Sequence, residues 1–187
     1  MVTRLAAQKG LDIVLDAAVR LMELDLALVV LGTGDPCFHD AFGELAAEYP
    51  GQLAIALKFD NRLAHLIEAG ADMFLMPSRY EPCGLNQLYS MRYGTIPIVN
   101  PVGGLRDTVV PHTEENVKAG VARGFWLPEL SAEGLLAAVS RALSAYGDRE
   151  LWLSLVRHVM SLDFSWAASA RAYEELYRRL PAAGGRA

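Results

Sequence analysis

Asp72-Met73-Phe74-Leu75-Met76-Pro77-Ser78-Arg79-Tyr80-Glu81-Pro82-Cys83-Gly84-Leu85 is the stretch that decides the fold. Its start, Asp72 to Met76, has the length of a strand and is apolar on both faces after Asp72, as a strand covered on each side by helices must be. Pro77 stops the strand, Gly84 closes a polar loop, and residues 85–93 resume a helical pattern that ends at Gly94. Strand, loop and helix in this order make half of a βαβ unit.

The same grammar runs outward in both directions. Toward the carboxyl end, Ile96-Pro97-Ile98-Val99 reads as a strand ended by Pro101 and Gly103-Gly104. A loop-rich stretch over 106–123 then leads to Gly124-Phe125-Trp126-Leu127, a final strand. Toward the amino end, the pattern predicts a helix over 61–69, a strand over 53–58, a helix over 37–49 and a strand over 26–31. Leu11, Val14, Leu15, Ala18, Leu21 and Met22 recur at helical spacing, so 10–24 is a further helix. After residue 128 come three helices that Ser131, Asp148 and Ser165 are placed to cap, and then Pro181-Ala-Ala-Gly-Gly-Arg-Ala187, read as a frayed, disordered tail. Strands alternating with helices predict an α/β fold with a doubly wound parallel sheet. Such sheets bind ligands beyond the carboxyl ends of their strands, which selects the loops 4–10, 32–36, 77–84 and 100–105.

Composition sets the outer bounds. The 187 residues carry 17 Lys and Arg against 22 Asp and Glu, a net charge of −5, which argues against a general nucleic-acid binder. A hydrophobic share of 52% is ample for one core, and no apolar run approaches the ~20 residues of a membrane span. Met1-Val2-Thr3-Arg4 shows no secretory pattern, and Cys37 and Cys83 have no metal-ligand spacing, which together point to the cytoplasm. The four histidines do not pair at ligand spacing, so no metal is expected.

Within the selected loops, Arg4 and Lys9 place two cations at a helix start, where cations oppose the macrodipole. They are either two solvated charges or ligands of an anion such as a diphosphate. Gly32-Thr33-Gly34 is either a simple strand-to-helix turn or a ligand contact; it lacks a third glycine and a P-loop Lys. Gly84 lets the backbone approach a ligand, and the helix after it offers free N–H groups to an anion. Glu81, just before that turn, either binds sugar hydroxyls and balances developing positive charge, or serves the helix electrostatically. Cys83 has no partner base and reads as a small packed thiol. Gly103-Gly104 on the neighbouring strand would complete a two-sided phosphate cradle. Arg106-Asp107 reads as a local ion pair of small weight.

These motifs resemble bacterial glycogen synthase and plant starch synthase, retaining glucosyltransferases of the GT-B fold. The resemblance lies in Arg4-Leu5, Gln8-Lys9-Gly10-Leu11-Asp12, Leu31-Gly32-Thr33-Gly34-Asp35-Pro36, Pro77 through Tyr89, Tyr93-Gly94-Thr95-Ile96-Pro97, Gly103 through Val109 and Asp163-Phe164-Ser165-Trp166. It covers about residues 1–180 and concerns the family's C-terminal, Rossmann-like half only. The acceptor-holding N-terminal domain and its Lys-Thr-Gly-Gly-Leu segment are not in the sequence, so the resemblance implies a fragment or one piece of a split gene. It also implies that the first strand, which the family places just before Arg4, is nearly missing.

What the resemblance implies is specific. Residues 1–164 would bind the nucleotide sugar, 165–180 would be a helix crossing toward the N-terminal domain, and glucose would pass from ADP-glucose to the non-reducing end of an α-1,4-glucan with retention. The catalytic residues would be Arg4, Lys9 and Glu81. Gln8, Gly34, Phe59, Cys83, Gly84, Leu85, Asn86, Gly103 and Gly104 would bind substrate. Phe59 stands where many relatives stack a Tyr near adenine, and Asn100-Pro101-Val102 stands where relatives often read Arg-x-Thr. No metal or other cofactor is implied; the partners would be nucleotide sugar, α-1,4-glucan and the N-terminal domain, with no nucleic acid and no membrane.

Other readings stay open at this level. A GT-B enzyme of another family using UDP-glucose usually carries a second Glu eight positions after the first, and here position 89 is Tyr. A non-catalytic nucleotide-sugar-binding fragment is the second; without its partner domain the chain is expected to lack activity and to be adhesive. A flavodoxin-like response domain predicts acidic strand ends, and these carry Arg, Lys and Gly.

Overall fold

A computed structural model describes residues 1–180 of the chain; the expected tail 181–187 lies outside the described residues. The elements follow the predicted order. A 3-10 turn (Ala7–Lys9) leads into α1 (Leu11–Met22), β1 (Leu28–Leu31), α2 (Pro36–Glu48), β2 (Leu53–Ala56) and α3 (Asn61–Gly70). Then come β3 (Met73–Met76), α4 (Asn86–Tyr93), β4 (Ile96–Val99), α5 (Gly103–Thr108), α6 (Glu114–Lys118) and β5 (Phe125–Trp126). The chain closes with α7 (Ala132–Gly147), α8 (Arg149–Ser161) and α9 (Trp166–Arg179).

The three expected caps are made. Ser131, Asp148 and Ser165 accept hydrogen bonds from the backbone N–H groups of Gly134, Leu151 and Ala168, and Asp60 does the same for Leu63 at the start of α3. The stretch 106–123 is less loop-like than its sequence suggests. It holds α5 and α6, each only one to two turns long and too short for a visible apolar period. Strand β4 has the expected bounds, while β1, β2, β3 and β5 are one or two residues shorter, because pairing stops where the chain bends into the adjoining loop.

All strand pairs are parallel, β1 with β2 and β3 with β4 and β5. Residues 1–5 lie along β1, with Val2 opposite Leu31 and Leu5 opposite Gly34, and the chain then reaches the loop after β3, where the Gln8 carbonyl accepts from Arg79 N–H. Phe42, Phe74, Phe125, Leu5, Leu11, Met91 and Ile96 are fully buried, and β4 is buried at every position. Helix α1 packs on α7, α4 on α8, and α2 over β2, so both faces of the strands are covered. Burial of this apolar surface, at ~25 cal/mol per Å², is the term that holds the layers together. The strands' carboxyl ends, Leu31, Met76 and Val99, then open onto one rim.

Candidate functional site

Residues 4–10 cross the carboxyl end of β3. The N–H of Arg79 donates to the Gln8 carbonyl at 2.9 Å, and Gln8 Nε2 donates to the Tyr80 carbonyl at 2.8 Å. The crossing needs a glycine at position 10. Its φ is +68°, and a Cβ there would lie 2.1 Å from the Pro77 carbonyl oxygen. Arg79 also pairs with Asp12 on α1, a second tie that the sequence did not reveal.

This crossing delivers Lys9 to Glu81. Lys9 Nζ donates to Glu81 Oε2 at 2.6 Å, and the two side chains are only 16% and 12% exposed. Ser78 Oγ donates to the same Oε2 at 3.2 Å, and Asn100 Nδ2 fixes Ser78 through its carbonyl at 2.8 Å. Oε1 of Glu81 makes no hydrogen bond among the described residues, which leaves a carboxylate oxygen for a ligand hydroxyl. The Glu81 carboxylate makes no hydrogen bond to the backbone N–H groups of α4, whose N-cap is Leu85.

The loop 81–84 is held from behind. Gly104 N–H donates to the carbonyls of Glu81 and Pro82 at 3.1 and 3.2 Å. A Cβ on Gly104 would lie 2.0 Å from the Cys83 carbonyl oxygen, so the close approach of α5 to this loop requires glycine. Fully buried Gln87 donates from Nε2 to the carbonyls of Cys83 and Gly84 and to Thr108 Oγ1. The N–H groups of residues 83–87 make no hydrogen bond among the described residues. They form the donor end of α4, whose dipole favours negative charge.

Arg4, Lys9, Ser78, Glu81, Gly84, Leu85 and Asn86 line one cavity of about 190 Å³ above Leu75 and Met76. A second hollow of about 290 Å³ adjoins it and shares Val2, Thr3, Arg4 and Asn86; it is lined by Lys58, Phe59, Asp60, His65, Glu68 and Tyr89. Phe59 is 88% exposed there, an aromatic face with nothing on it. Lys58 bonds Asp60 at 2.8 Å and holds its carboxyl below the usual range. Glu68 is buried, and desolvation pushes its carboxyl up.

The structure brings together Arg4, Lys9, Glu81, Gly84, Leu85 and Asn86 around one space, with Phe59 beside it. Gln8 stands just behind, accepting from Arg4 at 3.2 Å. Asn86 spends its side-chain amide on the Val2 carbonyl at 2.8 Å. Gly103 and Gly104 open a short helix rather than a turn, and support the loop from below. Gly34 N–H donates to His39 Nε2 at 3.0 Å, and Gly34 lines neither cavity. Cys83 corrects the expectation of a packed thiol. It is exposed, because the turn between Pro82 and Gly84 projects outward. Arg106 donates to the Pro101 carbonyl rather than to Asp107. Ser78, Gln87, Asn100 and His39 escaped sequence reasoning; only Gln87 left a signal, an amide one turn into a helix that can reach back to its start.

The arrangement offers fixed positive charge and helix-end donors on one side, and a carboxylate oxygen on the other. Among the described residues no cluster of three His, Cys, Asp or Glu could hold a metal ion, and no helix is long and apolar enough to cross a membrane.

Known proteins share this arrangement of sequence. The sequence profile "Glycosyl transferases group 1" matches residues 1–153. The glycogen synthase of Syntrophotalea carbinolica is 52% identical over 179 residues, which cover 96% of this chain and 36% of that protein. That of Anaeromyxobacter sp. strain Fw109-5 is 52% identical over 182 residues, 97% of this chain and 38% of the relative. The catalytic domain of starch synthase IV from Arabidopsis thaliana, solved bound to ADP and acarbose, superposes with a TM-score of 0.86 at 39% identity, over 95% of this chain and 37% of that one. The chain thus spans a little over a third of the length of the curated relatives it matches.

Proposed function

The chain belongs to the group 1 glycosyl transferases, and from that premise we propose that it is the donor-binding half of a retaining glucosyltransferase of the glycogen and starch synthase kind. The observation that carries this reading is the convergence of Arg4, Lys9, Glu81 and the amino end of α4 on one cavity. The ADP bound in the starch synthase IV structure supports a nucleoside diphosphate as the ligand. Its diphosphate would occupy the cavity of about 190 Å³, with the base in the adjoining hollow against Phe59.

Transfer breaks the bond between glucose C1 and the diphosphate oxygen. The electron pair leaves with the diphosphate while positive charge spreads over C1 and the ring oxygen. Lys9, Arg4 and the N–H groups of residues 83–87 stabilise the growing negative charge, and do so more in the transition state than in the ground state. On binding, Lys9 keeps Glu81 as one partner and takes a phosphate oxygen as another. Glu81 Oε1 holds a glucose hydroxyl and faces the positive ring. The glucan hydroxyl attacks C1 from the face the diphosphate leaves and loses its proton to the departing phosphate.

The acceptor site and the closure that excludes water belong to a second domain. Helix α9 fits a place in that contact: none of its residues is buried, and Trp166, Tyr173, Leu176 and Tyr177 are exposed along it. The 187-residue chain alone therefore binds donor and does not turn over; glucose transfer from ADP-glucose to glycogen by the purified chain would refute this. Two free cysteines fit a reducing, cytoplasmic setting.

Titration calorimetry with ADP, UDP, AMP and ADP-glucose tests the reading. ADP binds more tightly than AMP, and Lys9→Ala weakens ADP by about 10–100-fold, the loss of one charge-assisted contact of ~1.5–3 kcal/mol. ADP affinity unchanged by Lys9→Ala would remove the diphosphate assignment, and a preference for UDP would move the chain to another donor class.

A further inference from the structure

Two histidines that no spacing in the sequence pairs meet at one small cavity. His112 Nε2 and His158 Nε2 are both buried, and neither has a hydrogen-bond partner among the described residues. Both side chains line the same space of about 60 Å³, between the loop 110–122 and α8. Val117, Ala122 and Leu155 make its walls apolar, and Ser154 brings the one hydroxyl among the residues that line it. The cavity shares no residue with the two hollows at the strands' carboxyl ends.

Each ring is placed by the fold. A parallel bridge between Pro111 and Gly124 brings His112 in, and its N–H donates to the Gly124 carbonyl at 2.7 Å. The ring then lies on buried Phe125, with centroids 4.8 Å apart and the planes 23° from parallel. That contact fixes the plane in which Nε2 points. His158 comes from the last turn of α8, and Ser154 stands one turn before it on the same face. Burial lowers the pKa of His112, with the Arg141 guanidinium adding to the effect, so this ring stays neutral and keeps a nitrogen lone pair. A buried nitrogen without a partner is destabilising, and here two face one space.

We propose that His112 and His158 bind a divalent transition-metal ion of the zinc kind through their Nε2 atoms, with Ser154 Oγ and water completing its shell. Imidazole nitrogen suits such ions, whereas Mg²⁺ and Ca²⁺ take oxygen ligands. The cavity has room for the ion and one or two waters. With two protein nitrogens rather than the three or four protein ligands of most zinc sites, the ion exchanges with solution. Bound, it clamps the loop 110–122 to α8. The next residue of that loop is Arg123, whose guanidinium stands 6.0 Å over the Phe164 ring, between α8 and α9. The clamp thus steadies the root of α9. The inference does not depend on the glucosyltransferase reading.

The test is calorimetric titration of the reduced wild-type chain with zinc chloride and with magnesium chloride, beside His112→Asn, His158→Asn and His65→Asn. Zinc binds the wild type and magnesium does not. His112→Asn and His158→Asn each weaken zinc at least tenfold, and His65→Asn leaves it unchanged. The last variant controls for the His65 and Glu68 pair, 3.9 Å apart, which is another place for zinc. Cobalt(II) controls for the exposed thiols of Cys37 and Cys83: bound at the histidines it shows no sulfur charge-transfer band. A zinc soak of wild-type crystals needs no variant to fold, and places an anomalous peak within bonding distance of both Nε2 atoms. No zinc binding, an affinity that both histidine variants leave unchanged, a sulfur band in the cobalt spectrum, or a soaked crystal with only water in the cavity would overturn the proposal.

Discussion

β1 and β3 end differently at their two extremities. At the carboxyl end, residues 1–10 bridge them, and nearly every polar group has a partner: Lys9 with Glu81, Gln8 with Tyr80, Asn100 with Ser78, Gly104 with Glu81. At the amino end the same strands enclose an apolar groove and an amino group stripped of water. The contrast teaches where each end gets its specificity. The carboxyl end is fixed by its own side chains and, among the described residues, leaves open the donors of residues 83–87 and one oxygen of Glu81, which is the pattern of a preorganised ligand site. The amino end leaves open apolar area and backbone groups that have no partner among the described residues.

The largest effect comes from breaking the carboxyl end at its backbone contact. Gly104→Ala forces a Cβ to within 2.0 Å of the Cys83 carbonyl oxygen and pushes the loop 81–84 outward. Urea denaturation shows a loss of about 3 kcal/mol or more, and ADP binding falls with it; an unperturbed midpoint would mean that the loop is not fixed from below.

The amino end is probed by pH. Desolvation pushes the Met1 amino group down from 8.0 to about 5, with the carboxylate of Glu68 opposing. The unfolded chain then binds more protons than the folded one between those values, so this group's contribution is present above pH 8 and is lost as pH falls toward 5. The bound on this loss is about 4 kcal/mol. Glu68, whose carboxyl is raised, has the opposite sign, since its contribution falls as pH rises past the usual carboxylate range. The comparison is therefore between the free and the N-terminally acetylated chain, which share Glu68. The free chain loses stability from pH 8 to 5 relative to the acetylated one; parallel curves would place the amino group in water.

Smaller effects sharpen the picture. Lys9→Ala leaves Glu81 largely buried with only Ser78 as partner, and costs about 2 kcal/mol in a denaturant midpoint without ligand, whereas Lys9→Ala paired with Glu81→Gln recovers part of that loss. A double variant as unstable as the sum of the singles would show that the two side chains do not interact. The smallest change belongs to neither end: Ser131→Ala removes one cap of α7 and costs about 1 kcal/mol, with ADP affinity unaltered.

Much of this was legible in the sequence because it was written in local signals. Met73 to Met76 between Asp72 and Pro77 declares a buried strand, and Ser131, Asp148 and Ser165 declare helix starts, through chemistry within a few residues. That Arg4, Lys9, Glu81 and Gly84 would share one rim was legible because parallel sheets put their strand-end loops together. What escaped depends on contacts distant along the chain. Asn100 holds Ser78 from another strand, Arg79 reaches Asp12 on α1, and Gly104 is needed because the Cys83 carbonyl passes close by. Helices α5 and α6 escaped because five or six residues carry no period to read. The exposure of Cys83 is set by the direction in which its turn leaves the sheet, and no neighbour in sequence records that.

The most direct test is a crystal structure of the chain soaked with ADP-glucose. The account predicts a diphosphate oxygen within ~3 Å of Lys9 Nζ, with the N–H groups of residues 83–87 turned to the same diphosphate and a glucose hydroxyl on Glu81. A diphosphate bound elsewhere, with Lys9 still held 2.6 Å from Glu81 and touching no phosphate, would contradict it.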